Sequence, residues 1–439
     1  MSGQGEARGG LQAQRELWAN ASWRRWVLAA SFTRLCLTMM PFALLLMGEA
    51  ALGSFSAGAW MTSAFSVGAA AAAPFRGRAM DRRRLPEAMR APLLGLAALS
   101  VAVSVACALH APLPVLLVLS LLLGVIPGGV GGAYRALMPT FLSPKELAAA
   151  FAIDAVLIEA TWIGGPLLVG VLALLHPSVT LGLVTVCAVV ATVANRRLPS
   201  REPPPAPTEP RRGLDLAPLL RGLSLFVFVG GITVGVSWGA LDTALPPRLV
   251  ELGSRAELWG ALAALMSVTS AMGGLLYAGM AGPASARGGL GRALLFLTLW
   301  SGFLLPVGLS EGVVSTAVWL AVAGFFLAPL AGLLAHLLQQ ALPSDRQAEG
   351  FSVYGACWSL GIGAGSALTA VLLEHATARA SIILSGAVPL TVLLGSALVA
   401  RPLLRAATQA LPPLTSGEAG EPVRAEAREP ESSAGAGTP

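Results

Sequence analysis

Charge is what this chain has least of. Asp, Glu, Lys and Arg make up 12% of its 439 residues, against roughly 25% in water-soluble domains, and that shortage excludes an ordinary soluble fold. Lysine is nearly missing, with Lys145 the only one. No glycine-rich loop ends in Lys-Ser/Thr, so ATP hydrolysis on a phosphate-cradling loop is excluded. The four cysteines, Cys36, Cys107, Cys187 and Cys357, stand inside apolar runs without CxxC spacing. They read as small buried hydrophobes, not as disulfides or metal ligands. His336 and His375 lie near the ends of apolar runs with no H-E-x-x-H spacing. Neither metal nor cofactor is expected.

Apolar sequence is what the chain has in excess: 55% of its residues are hydrophobic and its mean hydropathy is +0.71. A bilayer core of about 30 Å needs a helix of roughly 20 apolar residues. Twelve runs qualify, at 26–49, 54–75, 91–110, 113–141, 147–175, 178–195, 218–245, 256–280, 290–309, 312–341, 351–374 and 380–400. The first opens behind Arg24-Arg25 after a polar start and reads as a retained span, not a cleaved signal. The stretch 196–217, with Arg196-Arg197 and Pro203-Pro204-Pro205, reads as a solvated linker. The chain thus divides into an N-terminal segment 1–25, a six-helix bundle 26–195, the linker, a second bundle 218–400 and a disordered tail 401–439.

The net charge of +6 invites a nucleic-acid reading, but the arginines sit in connectors between apolar runs. They crowd the N-terminus, the 76–90 loop, the 196–221 stretch, and the segments with Arg287, Arg292, Arg346, Arg401 and Arg405. The alternate loops hold mainly Arg248, Arg255 and Arg379 beside Glu251, Glu257, Glu311 and Glu374. The positive-inside rule then places both termini in the cytoplasm. The two halves repeat one another at a shift of 200: Phe151-Ala152-Ile153 falls on Phe351-Ser352-Val353, Gly165 on Gly365 and Leu168 on Leu368.

Between the second and third runs stands Arg76-Gly77-Arg78-Ala79-Met80-Asp81-Arg82-Arg83-Arg84-Leu85-Pro86. This loop resembles the G-x-L-x-D-R-x-G-R-R signature of major facilitator superfamily transporters. Gly77, Asp81, Arg82 and Arg84 fall on pattern positions, while Arg83 replaces the usual glycine. The resemblance covers residues 26–400. It implies an all-α integral membrane fold of twelve helices in two pseudo-symmetric six-helix bundles, with a substrate site near the midplane between them. It also implies a latch in which Asp81 approaches the N-terminus of span eleven near Gly350, with Arg135 at the end of span four as a partner. Read without the resemblance, the loop is a basic connector serving topology alone.

Gly165-Pro166-Leu167-Leu168-Val169-Gly170 on span five is similar to the G-P-x-x-G motif of antiporters in that superfamily. Its small residues equally suit ordinary helix packing. One departure concerns span four. Where proton-coupled drug antiporters carry an arginine, this chain has glycine, in Gly124-Val125-Ile126-Pro127-Gly128-Gly129. Any coupling must rest on another charge.

Ionisable residues within spans face a cavity or a partner by default. Glu159 lies about 18 Å into span five, near the midplane, on the face of Trp162, Pro166 and Gly170. It reads either as a coupling or substrate-contacting acid or as an interhelical hydrogen-bond partner. Asp154 points roughly 140° away and leans toward a structural pairing. Arg34, eight residues into span one, either snorkels to the surface or enters the cavity, with Asp154 or Glu159 as its partner. Asp242, near the outer end of span seven, reads as a surface residue ahead of a site residue. Trp60, Trp238, Trp358 and Tyr354 line either a cavity or the membrane interface.

An enzyme is the competing class. Gly235-Val236-Ser237-Trp238-Gly239 fits G-x-S-x-G, but a nucleophile elbow needs a strand before the turn, and this stretch is mid-span. The reading is therefore a secondary transporter, not an enzyme: proton-coupled export of a small amphipathic molecule by alternating access. The alternatives are an uptake symporter or facilitator of the same fold, and a non-transporting scaffold or membrane enzyme. Expected partners are the substrate, protons and the lipid bilayer, with no nucleic acid, and the chain is expected to act as a monomer. Arginine over lysine and the Ala/Gly/Pro richness point to a bacterial inner membrane.

Overall fold

The computed structural model describes residues 17–81, 84–199, 222–280, 286–342 and 347–399. Most of the expected linker and all of the tail lie outside them. Among the described residues the chain is helical throughout, without strands. The first half comprises α1 (Ala21–Leu52), α2 (Phe55–Asp81), α3 (Arg90–Ala108), α4 (Leu113–Val125), α5 (Val130–Leu137), α6 (Pro144–Ala173) and α7 (Pro177–Asn195). The second half comprises α8 (Gly222–Glu251), α9 (Trp259–Met280), α10 (Ala286–Leu309), α11 (Val313–Gly324), α12 (Leu327–Ala341), α13 (Gln347–His375) and α14 (Ala378–Val399). Ten helical stretches among the described residues are long and apolar enough to cross a bilayer. Of the twelve expected spans, Phe55–Asp81 and Ala378–Val399 are the two not among those ten.

The halves keep the same order and spacing. α1 and α8, α3 and α10, α4 and α11, α6 and α13, and α7 and α14 start about 200 residues apart. The agreement extends to irregularities. The expected span 113–141 is two helices, α4 and α5, broken at residues 126–129, and the expected span 312–341 is likewise α11 and α12, broken at 325–326. In the first half the cause is Pro127-Gly128-Gly129, because proline cannot donate to the ladder and Gly129 takes φ +83°. In the second half Pro329 falls in the first turn of α12, where its missing N–H costs nothing.

Local signals set the helix starts. The Asn20 side chain accepts from the backbone N–H groups of Ser22 and Trp23 at 2.9 and 3.3 Å and caps α1. Ser143 and Glu146 form a capping box at α6, with the Ser143 N–H donating to Glu146 at 2.8 Å. The Glu146 carboxyl is held below the usual range by hydrogen bonds from the Ser143 side chain and backbone. Gly53 ends α1 at φ +65°, its N–H donating to the Glu49 carbonyl at 2.8 Å.

Helix ends differ in charge. Arg24, Arg25, Arg90, Arg196, Arg197 and Arg292 mark one end, here the basic end, and Glu49, Glu251, Glu257, Glu311 and Glu374 mark the other, the Glu-rich end. The halves touch chiefly through two helix pairs, α2 with α13 and α6 with α9. A Cβ added at Gly170 would lie 2.6 Å from the Glu257 carbonyl and 3.2 Å from the Gly260 Cα, so only glycine lets these backbones meet. A Cβ at Gly363 would lie 2.9 Å from Val67 and 3.3 Å from the Ser63 carbonyl.

Candidate functional site

Glycine contacts and burial together show how the halves sit. Residues eleven apart lie on nearly one helical face, about 20° offset. Eleven residues from Gly170 toward the basic end is Glu159, and eleven from Gly363 is Ser352; both are exposed. Each cross-half face is therefore packed toward the Glu-rich end and uncovered toward the basic end. At the Glu-rich end, Ser56 on α2 donates to the Glu374 carboxylate on α13 at 2.6 Å, and the Trp60 indole N–H donates to it at 3.3 Å. Phe42 packs on Trp259 with ring centroids 3.9 Å apart, and Leu45, Ala59 and Ala370 form a small apolar seal.

Beneath that seal lies a cavity of about 30 Å³ between the halves. Pro41, Phe42 and Leu45 of α1, Thr62 of α2 and Trp162 of α6 line one side. Trp238, Asp242 and Thr243 of α8, with Ile362 and Ser366 of α13, line the other. Trp162 meets Trp238 edge-on at 6.1 Å, and Trp238 stacks on Trp300 at 6.2 Å.

Asp242 is the cavity's one acid and is 9% exposed, which corrects its expected surface position. The reason lies in where α8 ends. The prolines Pro246 and Pro247 read as a terminus, yet the helix runs through them to Glu251, leaving Asp242 about 14 Å below the end. Arg248, the nearest cation in sequence, is committed to Glu251 at 2.9 Å and to the Ser310 carbonyl at 2.7 Å. Among the described residues no ion pair reaches Asp242; its partner is the Trp238 side chain. A sequence signal did exist: an acid four residues after a tryptophan, one helical turn apart, inside a largely apolar run.

The expected first-half residues gather elsewhere. Asp154 is fully buried in α6, with Oδ1 2.6 Å from the Arg34 guanidinium and Oδ2 accepting from Arg135 Nε at 2.8 Å. The first contact is close but off hydrogen-bond geometry. Arg34 also lies over the Trp26 ring at 5.6 Å. Around them the Trp26 indole N–H donates to the Tyr134 carbonyl at 2.7 Å, and the Tyr134 hydroxyl donates to Asn195 at 3.0 Å. Arg135, expected as a partner of Asp81, pairs with Asp154. Helix α2 runs through Gly77 to Asp81; the Asp81 side chain and Arg82 lie outside the described residues, and Arg84 is exposed.

Glu159 stands apart from this cluster, exposed and without a hydrogen bond or ion pair among the described residues. In the span-five motif, Gly165 packs against Thr38 of α1 while Gly170 meets Gly260 of α9. Pro166 bends no contact away, since its carbonyl is the atom nearest Gly260. At the span-four position, a Cβ on Gly124 would lie 2.7 Å from the Ala69 backbone nitrogen, so the close approach of α2 leaves no room for an arginine. Ser237, the central residue of G-x-S-x-G, donates to the Ser385 carbonyl at 2.6 Å inside a helix and is buried.

The sequence model of the Major Facilitator Superfamily matches residues 26–344. A search of curated protein sequences returns no match. Among solved structures, the human organic anion transporter MFSD10 (TETRAN) is 18% identical, with a TM-score of 0.58 over 85% of this chain and 99% of its own. The POT family transporter PepTSo is 12% identical, with a TM-score of 0.66 over 89% and 98%. A bacterial homolog to the human lysosomal transporter Spinster, in an inward-facing and occupied conformation, is 16% identical, with a TM-score of 0.65 over 88% and 97%.

Proposed function

Because the chain belongs to the major facilitator superfamily, and so is a multi-pass membrane transporter and not an enzyme, we propose that it exports a small amphipathic molecule in exchange for protons by alternating access. The observation that carries this reading is the asymmetric closure: both cross-half faces are packed at Gly170 and Gly363 and uncovered at Glu159 and Ser352. The positive-inside rule puts the basic end in the cytoplasm, in a bacterial inner membrane, so this state is open inward. The two bundles, residues 26–195 and 218–400, rock about the cavity under the Glu-rich seal.

Proton coupling falls to Glu159 and Asp242, two acids within the spans that form no ion pair among the described residues, because Asp154 is committed to two arginines. The neighbours of this fold include an organic anion transporter and a peptide transporter by their names. At such low identity they support the fold and leave the substrate to the cavity's own chemistry. Asp81 is assigned a latch at the N-terminus of α13, a carboxylate at such an end being worth about 0.3–1 kcal/mol toward the outward-facing state.

Two measurements test this. Spin labels at Phe151 and Phe351, across the basic end, should approach one another when substrate is added; a fixed distance under every condition would rule out alternating access. Inverted vesicles should accumulate dyes or antibiotics only while the proton gradient stands. Glu159→Gln should reduce that accumulation with normal expression, and accumulation unchanged at every pH would remove Glu159 from the coupling.

A further inference from the structure

The cavity under the seal has a definite chemical sign. Its hydroxyl hydrogens are committed: Thr62 donates to the Pro41 carbonyl at 2.8 Å, and Thr243 donates to the Gly239 carbonyl at 2.6 Å. Ser366, 3.0 Å from Thr243, is left to donate to it. What these groups turn to a ligand is lone pairs. Asp242 adds a carboxylate, which when ionised only accepts. Among the described residues no cation lines the cavity, and Arg34 and Arg135 are held on Asp154 and Arg248 on Glu251. The walls beside the acid are the faces and edges of Trp162 and Trp238.

A carboxylate in an apolar interior is costly without a counter-charge, and indole faces attract cations by roughly 0.5–2 kcal/mol. A space of about 30 Å³ is far below the roughly 300–1,000 Å³ of a drug-sized pocket. It suits a small charged head, with an apolar body lying along the exposed edge of Trp162 toward the open end. From these features we infer that the transported molecule is an organic cation, whose ammonium head pairs with Asp242 against Trp238 while its apolar part lies outside the head pocket. This rests on the transporter reading above and adds the charge of the substrate and the residue that reads it.

The test is binding of phenethylammonium to the purified full chain in detergent, beside 3-phenylpropionate, an aryl anion of similar size. Phenethylammonium should bind and 3-phenylpropionate should not. Asp242→Asn should weaken the cation by roughly 10- to 100-fold, the range expected for one charge-assisted contact, and Asp242→Glu should retain most of it. A sharp size-exclusion peak and an unchanged spin-label distance across the basic end certify that each variant is folded. Equal binding of the two ions, unaltered binding by Asp242→Asn, or no binding of the cation would overturn the inference. Each of those results can occur while the labels still report alternating access, so this failure is distinct from failure of the transport reading.

Discussion

The two halves of this transporter share a scaffold and differ in what they do with charge. The first half builds an ionic cluster on the buried Asp154, with Arg34 buried beside it and Arg135 half exposed, that joins α1, α5 and α6. At the matching place in the second half, 200 residues on, Tyr354 replaces Asp154, its ring packed on Gly231 and edge-on to Trp358 at 6.3 Å. Conversely, the second half holds Asp242 in the cavity wall without a cation, where the first half offers Pro41 and Phe42. Duplicated packing therefore does not require duplicated electrostatics. The first half uses its acid to hold helices together; the second leaves its acid available to a ligand.

Removing the acids one at a time should break or uphold that contrast. Asp154→Leu leaves Arg34 buried without its carboxylate, and breaking such a pair costs about 3–5 kcal/mol. Thermal unfolding of the purified protein should show a large fall in midpoint, whereas Asp242→Asn should leave the midpoint unchanged or higher. Equal stability of the two variants would end the distinction. The double change Arg34→Met with Asp154→Leu sharpens it, because an apolar replacement of a whole buried pair is often neutral. Most of the lost midpoint should return.

Gly170→Leu comes next in size, as forcing extra carbons into a packed contact costs about 1–3 kcal/mol. The clash with the Glu257 carbonyl and Gly260 falls on the cross-half contact, so the Glu-rich end should open. Labels placed there should separate, while Gly164→Leu, where an added Cβ meets nothing within 4 Å, should have no effect. The smallest change is expected from Glu374→Gln, which weakens hydrogen bonds from Ser56 and Trp60 at an exposed rim. It should move the same distance distribution in the same direction, and a shift as large as that of Gly170→Leu would contradict this order.

Much of the site was legible before the structure because helical geometry is periodic. At 100° per residue Asp154 and Glu159 had to serve different faces. The structure turns one to Arg34 and leaves the other on the face of Gly170. Asp242 was not legible in the same way. A double proline reads as a helix end, yet in the folded chain α8, packed against α13, continues through it to Glu251. The break between α11 and α12 lay hidden for a similar reason, its proline sitting inside an otherwise uninterrupted apolar run.

Composition and order along the chain determined the membrane as solvent, the helical spans and the repeat of about 200 residues, because a bilayer leaves backbone groups few other ways to be satisfied. Which charges meet was decided by tertiary structure alone. Arg135 reaches Asp154, and among the described residues no arginine forms an ion pair with Asp242. Ion pairing falls off within a few ångströms, and those distances exist only once helices remote in sequence have packed.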